Sequence, residues 1–170
     1  MQELLEKLDT QTERIYPSNF NLNKLHKALR QATADLEACA ADPKYHVSMD
    51  TFHVPDSNSY FFGLLKTSVC HVCLAGAVMA KSYKTSPTET DSPLNYPKEI
   101  SNMFNALDAL RNGNIGLALR RVHQDDVTAE EMYKASQIRT SIHLMRYETD
   151  PEFYIAELKI LADRLEVADL

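Results

Sequence analysis

Apolar residues recur along most of this chain at steps of three and four, the spacing of one face of an α-helix. The clearest run is Leu22, Leu25, Leu29, Ala32, Leu36 and Cys39, which predicts a helix to about Ala41, closed by Asp42-Pro43. Upstream, Leu4, Leu5 and Leu8, extended by Ile15, predict a charged amphipathic helix over residues 2 to 14 that Pro17 ends. Ile100, Phe104, Leu107 and Leu110 form a third face, with Asn95 available as its cap and Asn112-Gly113 as its stop. Ile115 to Val122 follows as a short apolar helix. Thr128-x-x-Glu131 and Thr149-x-x-Glu152 both have the form of a capping box, the second with Pro151 beside it. They open helices predicted at 129–146, with Met132, Ser136, Ile138, Ile142 and Met145 inward, and at 151–167, with Phe153, Ile155, Leu158, Leu161 and Leu165 inward.

The segment from Val69 to Ala80 departs from this two-faced pattern, because His71 is its only clearly polar side chain. Read as a helix at about 100° per residue, it sorts by size: Cys70, Cys73, Gly76, Ala77 and Ala80 share an arc of about 120°. Val72, Leu74, Val78 and Met79 take most of the other side. A smooth side admits a neighbouring backbone closely, while a bulky side fills the core. Thr67 or Ser68 could cap the start, and Lys81 and Lys84 suit the negative end of the dipole. Twelve residues rise about 18 Å, short of the roughly 30 Å a membrane span requires. The expectation is a buried central helix over about 68–82, with His71 a satisfied core histidine.

Residues 44–66 have another rhythm. Tyr45, Val47 and Met49 alternate with His46, Ser48 and Asp50, as in a short strand, and a small extended or hairpin segment is predicted there. Residues 82–97, with Pro87, Pro93 and Pro97, read as a long surface loop. The fold class expected is mainly α: a single-domain helical bundle over 1–170, with about six to seven helices around the central one.

Composition narrows function. The chain has 170 residues, 44% hydrophobic and 25% charged, which suits one ordinary globular domain. A net charge of −6 disfavours direct nucleic-acid binding, and interleaved lysines and arginines disfavour a DNA mimic. The start MQELLEKLDTQTER lacks an apolar signal region, and three cysteines are an odd number, so a reducing cytoplasm is expected. No membrane association is expected.

Candidate chemistry is sparse. Cys70-His71-Val72-Cys73 is half of a structural zinc site, which His46, His53 or Cys39 could complete. The same CxxC could cycle through a disulfide, although no βαβ setting accompanies it. Against both stands packing: the thiols share the smooth side with Gly76, Ala77 and Ala80. His46, Asp50 and His53 would line one helix face as a metal or acid–base set, whereas on a strand the set falls apart. Arg111, Arg120, Arg121 and His123 form a local basic patch that could hold an acidic partner. Phosphate loops, nucleophile elbows and HExxH are absent. The expectation is therefore no cofactor, with zinc at Cys70, Cys73, His46 and His53 as the alternative.

Met49-Asp50-Thr51-Phe52-His53, followed by Cys70 to Ala80 (CHVCLAGAVMA), resembles a pairing found in uncharacterised proteins of bacteriophages and bacteria. The resemblance covers about 35 residues and implies a phage or mobile-element setting, without a transferable activity. Small acidic helical phage proteins often inhibit a host factor, and that analogy suggests a non-enzymatic interaction protein. Its partner would be a host protein, from a defence or nucleic-acid-processing system. Homo-oligomers through helices 129–146 or 151–167 are a further expectation.

Overall fold

A computed structural model describes residues 24–48, 51–55, 60–61, 64–65, 69–142 and 150–170. The helix predicted over residues 2–14 lies outside them, as do Leu22, Met49, Asp50, Thr67, Ser68, Met145 and Thr149. The described residues form a mainly helical fold with a small sheet. Six α-helices appear among them: α1 (Leu25–Ala40), α2 (Leu74–Lys81), α3 (Lys98–Arg111), α4 (Ile115–His123), α5 (Ala129–Gln137) and α6 (Pro151–Val167). No helix among the described residues is long and apolar enough to cross a membrane.

α1 buries the face its periodicity announced: Leu25, Leu29, Ala32, Leu36 and Cys39. It packs against α6 on one side and α2 on the other, and α3 packs against α2 and α4. The antiparallel α1–α6 pair is pinned at both ends. Lys24 donates to Asp169 at 2.8 Å, the His26 amide to the Leu170 carbonyl at 3.1 Å, and Lys159 to Glu37 at 2.6 Å.

The centre differs from the expected long helix. Cys70–Val72 is a strand, β5, and α2 begins only at Leu74, after an extended Cys73 with no side-chain cap. β5 is the middle of a three-stranded sheet, parallel to β1 (Tyr45–Val47) and antiparallel to β2 (His53–Pro55). A two-residue pair, β3 (Tyr60–Phe61) with β4 (Leu64–Leu65), makes the hairpin. Cys70 and Val72 point to the core and His71 to the other face, the period of two that a strand requires. In so short an apolar run helix and strand patterns overlap, and the unpaired β1 and β2 edges needed a central partner.

The smooth side survives in the shortened helix. All residues from Leu74 to Ala80 are buried. A Cβ added at Gly76 would lie 1.2 Å from the Phe52 carbonyl oxygen and 2.4 Å from its carbon. A neighbouring backbone does nest there, and it belongs to the segment leading into β2. Phe52, from the first of the two resembling stretches, is thus packed directly against Gly76, from the second.

Helix ends follow their local chemistry with three changes. Thr128 and Glu131 form the predicted capping box on α5, and Gly113 takes φ 72 after α3. At α6 the cap is Asp150, whose carboxylate accepts from the Glu152 amide at 3.0 Å, with Pro151 in the first turn. Asn95 ends a 3-10 turn (Pro93–Asn95) instead of capping α3. α5 stops at Gln137, far short of residue 146, and Ile138 is extended. On α6 the core face is Tyr154, Ile155, Leu158, Leu161, Ala162 and Leu165, so Phe153 faces outward.

Candidate functional site

The sheet separates the four residues nominated as metal ligands. Side chains alternate across it, so His46, Val54 and His71 share the outer face, in register with one another. There the His46 and His71 rings meet edge to face, centroids 5.2 Å apart. His71 is half-buried and belongs to this outer pair, not to the core. His53 and Cys70 lie on the inner face and are fully buried. Cys73, past the strand, lies within electrostatic reach of Asp108 and Arg111 on α3. His46 is therefore divided from the others by the sheet itself. Among the described residues, no group of three or more His, Cys, Asp or Glu side chains is placed to hold a metal ion.

What the fold does bring together is a thiol, an imidazole and the long loop. Cys70 Sγ lies 3.6 Å from both ring nitrogens of His53. His53 Nδ1 is 2.8 Å from the Glu89 carbonyl oxygen, which only accepts, so Nδ1 carries the proton and Nε2 is left as an acceptor. The Asp91 amide donates to the His53 carbonyl at 3.0 Å, tying the loop to β2. Asp91 itself is buried, and its carboxylate accepts from Thr85 Oγ1 (2.8 Å), Asn95 Nδ2 (2.9 Å), the Ser92 amide (2.9 Å) and the Tyr96 hydroxyl. Burial raises the Asp91 pKa, but these donors outweigh it and bring it down to about 2. The loop at 82–97 is accordingly a clasp organised by one carboxylate, with Tyr83, Tyr96 and Phe104 stacked edge to face beneath it.

This constellation is the wrong shape for nucleophilic catalysis. A reactive thiol is held as thiolate by a nearby charge. Here burial pushes the Cys70 thiol up to about 11 and the His53 imidazole down. Both are neutral near pH 7. The sulphur is equally distant from two nitrogens, with no single line for proton transfer, and neither side chain reaches solvent. Cys39 is likewise pushed up by burial, to about 12, and the buried Cys73 thiol is also raised. All three cysteines are unpaired and buried, as expected of small packing residues.

The basic patch also changes. Arg111 is tied to Asp108 on its own helix at 2.7 Å, with most of its side chain buried. An acidic residue three positions earlier on the helix claims it, so it is not part of a surface grip. Arg120 and Arg121 are exposed at the end of α4 and His123 is half-buried, which leaves a smaller patch.

A different surface was missed. α6 carries a second apolar row, Phe153, Ile160 and Val167, spaced by seven, and all three are exposed, Phe153 by 56% and Val167 by 89%. At its C-terminal end this row opens into a groove of about 560 Å3 between α5 and α6. Tyr133, 66% exposed, Ile138, Val167 and Ala168 supply its apolar walls, and Lys134, Arg139 and Arg164 its cationic rim. Of these charges, Lys134 is paired with Glu130 at 3.0 Å, and Asp163, which also lines the groove, is held by Arg30 of α1 at 2.8 Å. The signal was present in the sequence: Phe153, Ile160 and Val167 fall about 140° from Leu165 on a helical projection, so α6 is apolar on two sides.

No family model, no curated protein and no solved structure matches the chain.

Proposed function

We propose that this chain is a small acidic, non-enzymatic interaction protein, encoded by a phage, that binds and inhibits a host defence or nucleic-acid-processing protein through the outer face of α6. The row Phe153, Ile160 and Val167 carries this reading. Three large apolar side chains seven apart on one exposed face match the seam by which one helix packs along another. Scattered exposed apolar residues need no explanation, but an aligned set continuous with a groove does. The sealed, uncharged Cys70–His53 contact favours the same conclusion, because it offers no route for a substrate. The phage setting rests on the resemblance of Met49–His53 and Cys70–Ala80 alone.

The experiment is capture of bacterial host proteins on the intact chain, repeated with each recovered protein in purified form. A stoichiometric complex is expected that Phe153→Asp/Ile160→Asp abolishes while the helical signal and melting stay native. Recovery of no stoichiometric partner, or a complex indifferent to the double substitution, overturns the proposal.

A further inference from the structure

We propose that His46 and His71 form a two-histidine site for a divalent transition metal ion, of the class of Zn2+, Ni2+ or Cu2+, on the outer face of the sheet. The register makes the pair. β1 and β5 run parallel with His46 directly opposite His71, and side chains so paired point to one side of a sheet. His46 is exposed and His71 half-buried. A dissolved ion therefore reaches this pair, as it cannot reach the sealed Cys70–His53 contact on the inner face.

The spacing suits one ion held between the rings. Zinc binds an imidazole nitrogen at about 2.0–2.1 Å, which puts it about 3.2 Å from the centre of the ring. Two rings at the tetrahedral angle then have centres about 5.2 Å apart. The His46 and His71 centroids are 5.2 Å apart, their planes at 79°. From this edge-to-face stack the rings need only turn. The Cβ–Cγ bond points at the ring centre, so rotation about it swings the nitrogens while the centre stays in place, and that torsion is broad in histidine. Each imidazole has two nitrogens, and one can bind while the other keeps a hydrogen bond, as ligating histidines commonly do. No third His, Cys, Asp or Glu joins the pair among the described residues, which leaves two tetrahedral positions to water. Imidazole suits zinc, nickel and copper, whereas magnesium and calcium take oxygen ligands. Charge favours a cation too. His46 lines a cleft of about 670 Å3 with Glu37, Asp150 and Glu152, against the single Lys159 that pairs with Glu37. A bound ion would clip β1 to the strand that leads into α2. None of this rests on the outer row of α6.

The test is titration of Zn2+ alone into the intact, untagged chain by calorimetry. Saturation at one ion per chain is expected. His46→Gln and His71→Gln should each weaken binding by about tenfold or more, and the double substitution should remove it. Cys70→Ala should leave the affinity unchanged, which sets the site apart from the thiols. Zn2+ should raise the melting temperature of the parent and not of the double variant, and Mg2+ should raise neither. In the Cu2+-loaded parent, electron paramagnetic resonance should show coupling to two imidazole nitrogens, and to one in either single variant. Absence of saturable Zn2+ binding overturns the proposal. So does affinity that survives the double substitution, or that is lost with Cys70, since either places the ion elsewhere. A copper spectrum of the parent without imidazole coupling overturns it without recourse to any variant. No host protein enters these measurements, so failure here is separable from failure to find a partner.

Discussion

The core beneath the small sheet and the outer face of α6 are built from the same kinds of residue and put them to opposite uses. Beneath the sheet, every chemically suggestive side chain is closed in: Cys70 against His53, His53 on the Glu89 carbonyl, Asp91 under four donors. On α6, Phe153 and Val167 are left open although burial would stabilise them. A satisfied polar centre rigidifies a fold and specifies one arrangement of its loops. An exposed, aligned apolar row is what docking to a partner would require. Residue types that usually signal chemistry here maintain shape, and ordinary apolar ones mark the candidate surface.

The comparison breaks most sharply at Gly76. A methyl group there would overlap the Phe52 backbone, and backbone cannot rotate away as a side chain can. Gly76→Ala is expected to cost about 3 kcal/mol or more in urea unfolding, at the upper end for overpacking. At Gly116 the added carbon would meet only the flexible end of Met132, at 3.1 Å. Gly116→Ala should be neutral or gain up to about 1 kcal/mol from helix propensity. Equal losses at the two glycines would mean that the close approach at Gly76 is not a constraint.

Acid provides the next test. The Asp91 carboxyl, near 2 in the folded chain, titrates at about 3.9 when unfolded. A depressed folded value stabilises above the unfolded pKa, and that stabilisation vanishes as pH falls from about 5 to 2. About 2 kcal/mol is at stake. His53 adds an upper limb of the same sign. Its folded pKa is lowered, so unfolding takes up a proton as pH falls below about 6.5. Asp91→Asn should flatten the lower limb of the stability profile and His53→Gln the upper one. A profile unchanged in either variant would remove that residue from the clasp.

How far the sequence reveals this molecule depends on how long each pattern runs. α1 is legible because five apolar positions, Leu25, Leu29, Ala32, Leu36 and Cys39, keep the 3.6-residue period along its sixteen residues. β5 is not, because three residues, Cys70–Val72, satisfy a helix and a strand template equally until their partners are known. Gly76 was read correctly as a site of close backbone approach, though inside a helix drawn too long. The outer row on α6 is visible in the spacing, yet Phe153 reads inward with Ile155, Leu158, Leu161 and Leu165, whereas in the fold Tyr154 takes that place and Phe153 is exposed. The clasp could not be seen: Asp91 gathers donors from residues 85, 92, 95 and 96, none of which forms a recognisable motif.

A smaller effect separates packing thiols from reactive ones. With Cys70 pushed up to about 11 and sealed, a thiol reagent at neutral pH should modify the folded chain no faster than it unfolds. Cys70→Ala should cost on the order of 1 kcal/mol, a lost buried sulphur and a small cavity. Rapid labelling of one cysteine in the native protein would show an opening of this region, and with it a chemistry the sealed arrangement denies.

The smallest change in stability is expected where the largest change in binding lies. Ile160 and Val167 are exposed, and surface substitutions away from caps and charge pairs usually stay within about 0.5 kcal/mol. If α6 only supported the core through Leu158, Leu161 and Leu165, Ile160→Asp and Val167→Asp would alter nothing measurable. If its outer face takes a partner helix, each should leave the melt of the free chain unchanged and remove the stabilisation that the bound partner adds. The same substitutions should abolish capture of the partner. Leu161→Asp is the internal contrast: it places a charge in the α1–α6 core and should unfold the chain. One helix would then show, on residues one position apart, the two regimes that divide this protein.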